Sequence, residues 1–161
     1  MTEGEFKKAM SCWVTGVSVV TTGSGRALHG STLNAFSSLS LSPMLCLICL
    51  KTNGGTCHAI QENGVFAVNM LSSGQTAIAR TFASPEQPEG RFAGLDYYFG
   101  ATGSPFLDGA IANLDCRLVN SMSSGDHTIL VGGVERIITA DLPPLGYFQG
   151  RFGQFAPMPV Y

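Results

Sequence analysis

The stretch Met44-Leu45-Cys46-Leu47-Ile48-Cys49-Leu50 is the longest uninterrupted apolar run in the chain, and Pro43 stands directly before it. A short apolar run next to a proline is typical of a buried β-strand. It is also far below the roughly 18 residues that a membrane-spanning helix needs. We therefore predict a buried strand that opens after Pro43, and no membrane segment.

Two cysteines of this strand, Cys46 and Cys49, have the C-x-x-C spacing of redox and zinc sites. Positions three apart along a strand face opposite sides of the sheet, so the two sulfurs should diverge. We predict two small buried side chains here and no metal site. The chain has five cysteines, an odd number that favours free thiols in a reducing compartment.

Composition limits the classes of protein that fit this chain. Charged residues make up 12% of its 161 residues, against about 25% in typical soluble domains, and 45% are hydrophobic. The length fits one domain over residues 1–161, and the scarcity of charge favours an apolar surface covered by a second subunit, as in a homodimer. A net charge of −2 without a basic run argues against a nucleic-acid partner. No apolar segment follows Glu3, Glu5, Lys7 and Lys8, so we predict no signal peptide and a cytoplasmic location.

Capping signals predict where helices begin. Thr2 and Glu5 have the spacing of a capping box, as do Ser72 and Gln75. After the first box, four apolar residues recur at helical spacing and predict one apolar helix face. These four are Phe6, Ala9, Met10 and Trp13. The predicted helices are residues 2–13, residues 56–63 with Gly64 as a C-terminal stop, and residues 72–82.

Segments rich in β-branched and apolar residues, bounded by turn signals, predict six or seven strands. They are residues 14–22, a return strand from Leu28 after the turn Gly23-Ser24-Gly25, and residues 44–50, 65–71, 111–119, 128–138 and 145–152. Residues 84–103, rich in Pro, Glu and Gly, are predicted as a loop. There is no steady alternation of strands and helices, and closure into a barrel is the usual way for such a chain to avoid exposed edges. The residues therefore predict a mainly β barrel with short helices.

Residues 30–42 are mostly Ser, Thr, Asn and Gly, with apolar residues set between them. Such a segment could bind a polar, flat cofactor, because short polar side chains and backbone amides meet a ring edge while Leu and Phe form an apolar wall. Ser37, Ser38 and Ser40, together with Lys51, could then meet a phosphate. The alternative is a loop whose hydroxyl groups cap its own backbone.

Gly125-Asp126-His127 precedes a predicted strand. His127 could orient a substrate, shuttle a proton or satisfy its own turn, and Asp126 could fix the histidine tautomer or cap the turn. No P-loop, nucleophile elbow or H-E-x-x-H pattern occurs. The three histidines His29, His58 and His127 lack the local pairing that recommends a metal site.

Five motifs, in the same order along the chain, resemble those of the short-chain flavin reductases, the reductase components of two-component flavin-dependent monooxygenases. They are residues 15–21, Thr-Gly-Val-Ser-Val-Val-Thr; residues 34–43, Asn-Ala-Phe-Ser-Ser-Leu-Ser-Leu-Ser-Pro; residues 66–71, Phe-Ala-Val-Asn-Met-Leu; Gly125-Asp126-His127; and residues 145–150, Leu-Gly-Tyr-Phe-Gln-Gly. The resemblance covers about residues 5–152.

This resemblance implies a split β-barrel with Greek-key topology, dimerised through an apolar face. It implies hydride transfer from NADH or NADPH to FMN or FAD, and a flavin-dependent monooxygenase as the partner that receives reduced flavin. The flavin-binding residues it implies are Thr32, Leu33, Asn34, Ala35, Ser37, Ser38, Ser40, Cys49, Leu50, Lys51 and Thr56. Tyr147, Phe148, Gln149 and Gly150 would lie beside the nicotinamide with His127, which we assign to positioning rather than to obligatory acid–base catalysis.

The chain departs from the family pattern at several positions. Ser42 replaces an acidic residue and Met44 a second proline, and neither change should abolish flavin binding. Gln149 replaces an arginine, and Arg151 would substitute for it if both lay on one strand, where they share a face. If nicotinamide use is lost with that arginine, the alternative is a flavin-binding electron carrier or sensor on the same barrel.

Overall fold

Short amphipathic segments of this chain form many strands and few helices. The computed structural model describes residues 1–23, 27–85 and 90–158. The helices are α1 (Glu3–Ser11), α2 (Gly55–Asn63) and α3 (Thr76–Ala83), with a 3-10 turn at Ser73–Gln75 before α3. The strands are β1 (Thr15–Gly16), β2 (Ser18–Thr22), β3 (His29–Leu33), β4 (Phe36–Leu41), β5 (Met44–Lys51), β6 (Val65–Met70), β7 (Tyr97–Phe99), β8 (Pro105–Leu107), β9 (Ala112–Ser124), β10 (His127–Thr139), β11 (Leu145–Phe148) and β12 (Arg151–Gln154). The predicted mainly β architecture with short helices is confirmed.

Seven strands form the main sheet, in the order β3-β2-β6-β9-β10-β5-β4, and all their pairings are antiparallel. Its two edge strands, β3 and β4, are consecutive in the chain and are joined only by Asn34 and Ala35. The sheet therefore curls so that its edges meet at this link without closing by backbone pairing. Two small sheets, β1-β11-β12 and β7-β8, complete the described strands.

The apolar run over residues 44–50 forms β5, as predicted. Its burial alternates: Cys46, Ile48 and Leu50 face the core, whereas Cys49 is half-buried on the opposite side. The prediction that the two cysteines diverge is confirmed, although Cys49 is less buried than expected. The main core around β5 also holds Phe66, whose ring packs so closely over β10 that a Cβ at Gly132 would stand 2.5 Å from it. A glycine is required at that crossing.

Both predicted capping boxes are present. Glu5 donates its backbone N–H to the Thr2 hydroxyl over 3.2 Å, and Ser72 and Gln75 make the reciprocal pair before α3. Gly64 ends α2 in the left-handed conformation, with φ of 67°. The apolar face of α1 is exposed instead of packed, with Trp13 just beyond the helix 74% accessible. None of the helices in the described ranges is long and apolar enough to cross a bilayer.

Several strand predictions differ from the structure. Residues 145–152 form a hairpin rather than one strand, because Gln149 and Gly150 both have positive φ, 48° and 78°, and turn the chain. Arg151 consequently lies on β12, opposite Phe148, and does not share strand parity with Gln149, so that prediction was wrong. The polar residues 30–42 lie mainly in β3 and β4 instead of a loop. β9 extends five residues beyond its predicted end, through an exposed polar part without apolar periodicity. The paired strands β7 and β8 were missed, and β7 lies inside residues 84–103, so the prediction of a loop over that whole segment was wrong.

Two sequence predictions lie partly outside the described residues. They are the turn Gly23-Ser24-Gly25 and the loop over residues 84–103, which includes residues 86–89. The antiparallel pairing of β2 with β3 confirms the hairpin that the turn was expected to close.

Candidate functional site

A cleft of about 500 Å³ opens where the β3–β4 link, the end of β5 and the start of α2 meet. This volume is within the usual range for a small-molecule site. Nine residues predicted to bind flavin or nicotinamide line it together. They are Thr32, Leu33, Asn34, Ala35, Cys49, Leu50, Lys51, Thr56 and His127. Residues distant in sequence thus converge at one place.

The start of α2 supplies the anion-binding end of this cleft. Its N-cap, Gly54, has no side chain to accept from the first turn, and no acidic residue lies in that turn. The N–H groups of Gly55, Thr56 and Cys57 therefore keep their partial positive charge. Lys51 lines the same cleft, and its carbonyl holds the Gly54 N–H at 2.9 Å. A helix start beside a lysine suits a phosphate group.

The β3–β4 link forms a wall of the cleft. The Ala35 carbonyl accepts from the Cys49 N–H at 3.0 Å, which fixes the link to β5. Asn34 is exposed and its amide makes no hydrogen bond within the described chain. Thr32 differs, because its hydroxyl donates to the Ala79 carbonyl of α3 at 2.7 Å. Asn34 is therefore the side chain of this link that is free to meet a ligand.

His127 begins β10 directly opposite Lys51 of β5. Its Nδ1 lies 2.8 Å from a carboxylate oxygen of Asp126, and this contact lowers the pKa of the Asp126 carboxyl. The Asp126 carbonyl also accepts from the Thr52 N–H at 3.0 Å, which ties the β9–β10 turn to the segment before α2. The contact orients the imidazole ring toward a fixed partner at the cleft's edge.

Three predicted residues lie away from this cleft. Ser37, Ser38 and Ser40 follow one another along β4, with Ser40 opposite Leu45. Leu45 is six positions from Lys51, so at about 3.3 Å per residue Ser40 stands roughly 20 Å from the Lys51 end of β5. Within one chain these serines do not join Lys51 at one phosphate. Ser37 donates to the neighbouring Ser38 carbonyl, as the alternative of local backbone capping expected.

The predicted nicotinamide segment lies next to the cleft rather than in it. Tyr147 shares an adjoining cavity of about 200 Å³ with Thr32, Leu33 and Asn34. Gly150 lines a larger cleft formed by residues of α3 and of the β11–β12 hairpin. Phe148 is 42% exposed, and Gln149 sits at the hairpin turn with its backbone N–H donating to Ser11.

Sequence reasoning missed several side chains that line this cleft, among them Phe82 and Arg91. Arg91 donates to the Gly30 carbonyl at 2.7 Å and to the Ser84 carbonyl, while its buried Nε has no partner among the described residues. Phe82 is buried in a core cluster separate from the one around β5, where it lies with Val19 and Leu71. A lone arginine in a Pro/Gly-rich loop gives no periodic signal, so the sequence offered no means of placing Arg91.

The fold and this cleft define the class of protein as a small, mainly β domain with a ligand-sized cleft beside a helix start, and comparison with known proteins gives its family. Residues 10–156 match the family described as flavin reductase like domain. The NADH-dependent FMN reductase AsuE2 of Streptomyces nodosus subsp. asukaensis is 37% identical over 92% of this chain and 82% of its own length. The reductase component of 4-nitrophenol 4-monooxygenase/4-nitrocatechol 2-monooxygenase of Rhodococcus opacus is 34% identical over 96% and 82%.

Solved structures give the same assignment. The NADH:FAD oxidoreductase SgcE6 of Streptomyces globisporus C-1027, solved with NAD and FAD fragments, superposes with a TM-score of 0.89 at 34% identity, covering 96% of this chain and 93% of that one. A flavin reductase from Haemophilus somnus 129PT reaches 0.93 at 30% identity, over 96% and 100%. The chain belongs to the flavin reductase like domain family, which confirms the resemblance and the split-barrel class.

Proposed function

We propose that this chain is an NAD(P)H:flavin oxidoreductase that transfers hydride from a nicotinamide cofactor to FMN or FAD. The observation that carries this proposal is the convergence of Asn34, Lys51, Thr56 and His127 on one cleft with an uncapped helix start. The family assignment and NADH-dependent relatives support it.

The residues present fit a flavin phosphate and ring. The first-turn N–H groups of α2 and the Lys51 ammonium would hold the phosphate, because both present positive charge and no carboxylate among the described residues lines the cleft. Asn34 would hydrogen-bond the polar edge of the ring, and Leu33 and Leu50 contribute apolar wall. A bound flavin would supply the hydride-accepting chemistry.

His127 and Tyr147 would position the nicotinamide. His127 is 43% exposed at the cleft's edge, so a second ring can reach it, and Asp126 holds its orientation. Tyr147 lines the adjoining cavity together with Asn34. Hydride transfer between two rings needs close, fixed stacking more than an acid or base, so these residues act by restricting geometry and excluding water.

The assembly we propose is a homodimer of single-domain subunits over residues 1–161, which in the cytoplasm supply reduced flavin to a monooxygenase component. Large apolar side chains on the outer surface support the dimer: Leu41 is 91% exposed, Met44 59% and Trp13 74%. Burying such a surface is favourable at about 25 cal/mol per Å². Relatives that are reductase components of monooxygenases support the partner.

The test is oxidation of NADH and NADPH, followed by loss of the reduced nicotinamide absorbance, with and without added FMN and FAD. We expect turnover that depends on flavin and that reveals the preferred donor and acceptor together. Flavin binding without turnover with either donor would overturn the reductase and leave an electron carrier or sensor on the same barrel.

A further inference from the structure

A second, larger cleft lies between α3 and the β11–β12 hairpin, and we name it the hairpin cleft. Its volume is about 730 Å³, and Arg80, Arg151 and Phe152 are among the residues that line it. It adjoins the cleft at the β3–β4 link, because Ala83 and Ser84 line both. The small cavity beside Asn34 also shares Tyr147 and Phe152 with it.

The charged side chains that the structure places in the hairpin cleft are all positive. Arg80 and Arg151 supply two guanidinium groups, and no Asp or Glu within residues 1–23, 27–85 and 90–158 lines the cleft. Neither guanidinium forms an ion pair or side-chain hydrogen bond with any residue the structure describes, and the ion pairs found there involve other residues. The chain has a net charge of −2, so two arginines that share one concavity and have no ion-pair partner in the described part of the chain form an unusually positive patch.

One of these arginines is already held in place. The Arg80 guanidinium carbon stands 5.6 Å from the centre of the Phe152 ring, a cation–π arrangement. Stacking uses the flat face of the guanidinium and leaves its N–H groups pointing sideways, where they can form two parallel hydrogen bonds to a phosphate. Less side-chain freedom is then lost on binding.

We propose that the hairpin cleft binds the adenosine diphosphate group of a dinucleotide, with Arg80 and Arg151 on its phosphates. The inference rests on the proposed function, in which a dinucleotide takes part. The flavin phosphate is assigned in that proposal to Lys51 and the start of α2, so the two arginines are left for a further phosphate group. NAD(P)H and FAD both carry the proposed group, whereas FMN lacks it, so only a dinucleotide can span both clefts.

The KM values of the variants Arg80→Ala and Arg151→Gln show whether the adenosine diphosphate group in the hairpin cleft belongs to the nicotinamide donor or to the flavin. With FMN as acceptor only NADH carries it, so a KM for NADH raised about tenfold would assign the cleft to the donor. A KM raised by the same factor for FAD, with the NADH–FMN reaction unaltered, would assign it to the flavin. Arg136→Gln is the matched control, because Arg136 is an exposed arginine of β10 that lines neither cleft.

Calorimetric titration with ADP alone is the direct readout and needs no catalysis. We expect ADP to bind the wild type, and Arg80→Ala or Arg151→Gln to weaken it about tenfold, with thermal unfolding unchanged. A wild type that does not bind ADP, or variants with unaltered ADP affinity and KM values, would overturn the inference. If the wild-type protein shows no flavin-dependent NADH oxidation, the proposed function is contradicted instead. The ADP titration still tests the hairpin cleft in that case, because it does not depend on turnover.

Discussion

Asn34 and Asn69 belong to two different motifs of the same family and have opposite surroundings. Asn69 is fully buried and makes four hydrogen bonds. Its amide nitrogen donates to the Val19 carbonyl at 2.9 Å and the Thr21 hydroxyl at 3.0 Å, and its oxygen accepts from the Leu107 N–H and from Asn113, both at 2.8 Å.

The side chain of Asn34 makes no hydrogen bond to the residues that the structure describes. It lies exposed at the link between the two sheet edges and lines three cavities. A buried amide whose hydrogen bonds are all made within the chain stabilises the fold, whereas an amide without partners at a cleft is available to a ligand. The hydrogen bonds of the two side chains therefore distinguish a structural asparagine from a ligand-binding one. The family motifs alone do not make this distinction, because each contains an asparagine.

The largest expected effect is on stability, from Asn69→Ala. Truncation leaves the Leu107 N–H without an acceptor in the core, whereas the Asn113 amide keeps its 3.3 Å contact with the Leu107 carbonyl. One unsatisfied buried group costs about 1–3 kcal/mol, so with the other lost hydrogen bonds we expect a loss of about 2–3 kcal/mol in unfolding free energy. Urea denaturation measures it. Asn34→Ala is the matched control and should change stability by less than about 0.5 kcal/mol. Equal losses for both variants would remove the distinction between the two asparagines.

Lys51→Ala tests the ligand-binding role that we propose for the side chains of the cleft. If the lysine meets the flavin phosphate, its removal should weaken FMN binding about tenfold and leave riboflavin, which has no phosphate, unaffected. Quenching of flavin fluorescence gives both affinities. Lys8→Ala on the exposed face of α1 is the control. A parallel loss of riboflavin affinity would mean that Lys51 does not act through the phosphate.

A smaller, more selective change is expected for His127→Ala. Loss of one positioning contact should raise the KM for the nicotinamide donor several-fold, roughly the value of one hydrogen bond, with the flavin KM unaltered. Steady-state oxidation of NADH at varied concentrations of each substrate separates the two. An unchanged donor KM and turnover would exclude His127 from nicotinamide positioning.

The smallest effect is electrostatic, at the turn before β10. The His127 imidazole lowers the pKa of the Asp126 carboxyl, so this contact favours the folded state above the ordinary aspartate pKa and is lost as pH falls through the lowered value. In His127→Ala the Asp126 pKa should return toward its ordinary value. A carbon-13 NMR titration of the carboxyl measures it, and identical titration curves in both proteins would show that His127 is not the cause.

Local signals in the sequence predicted much of the fold. The boxes at Thr2 and Ser72 and the stop at Gly64 depend on neighbouring residues, and so they were correct. The hairpin at Gln149 was missed because glutamine rarely takes positive φ, and nothing before Gly150 marks a turn.

The candidate site was predictable only in part, because some of its residues carry no local signal in the sequence. Residues near Asn34 and Lys51 carry motif and composition signals, whereas Arg80 and Arg91 reach their clefts through tertiary packing that leaves no pattern in the sequence. The polar run over residues 37–40 had the right composition for a phosphate, but the direction of β4 carries it away from Lys51.

A crystal structure of the protein grown with FMN tests the central claim, that the cleft between the β3–β4 link and α2 is the flavin site. We predict the phosphate at the N–H groups of Gly55–Cys57 with Lys51 beside it, and the ring against Asn34 and Ala35. FMN bound elsewhere, or with its phosphate between Arg80 and Arg151, would contradict that claim.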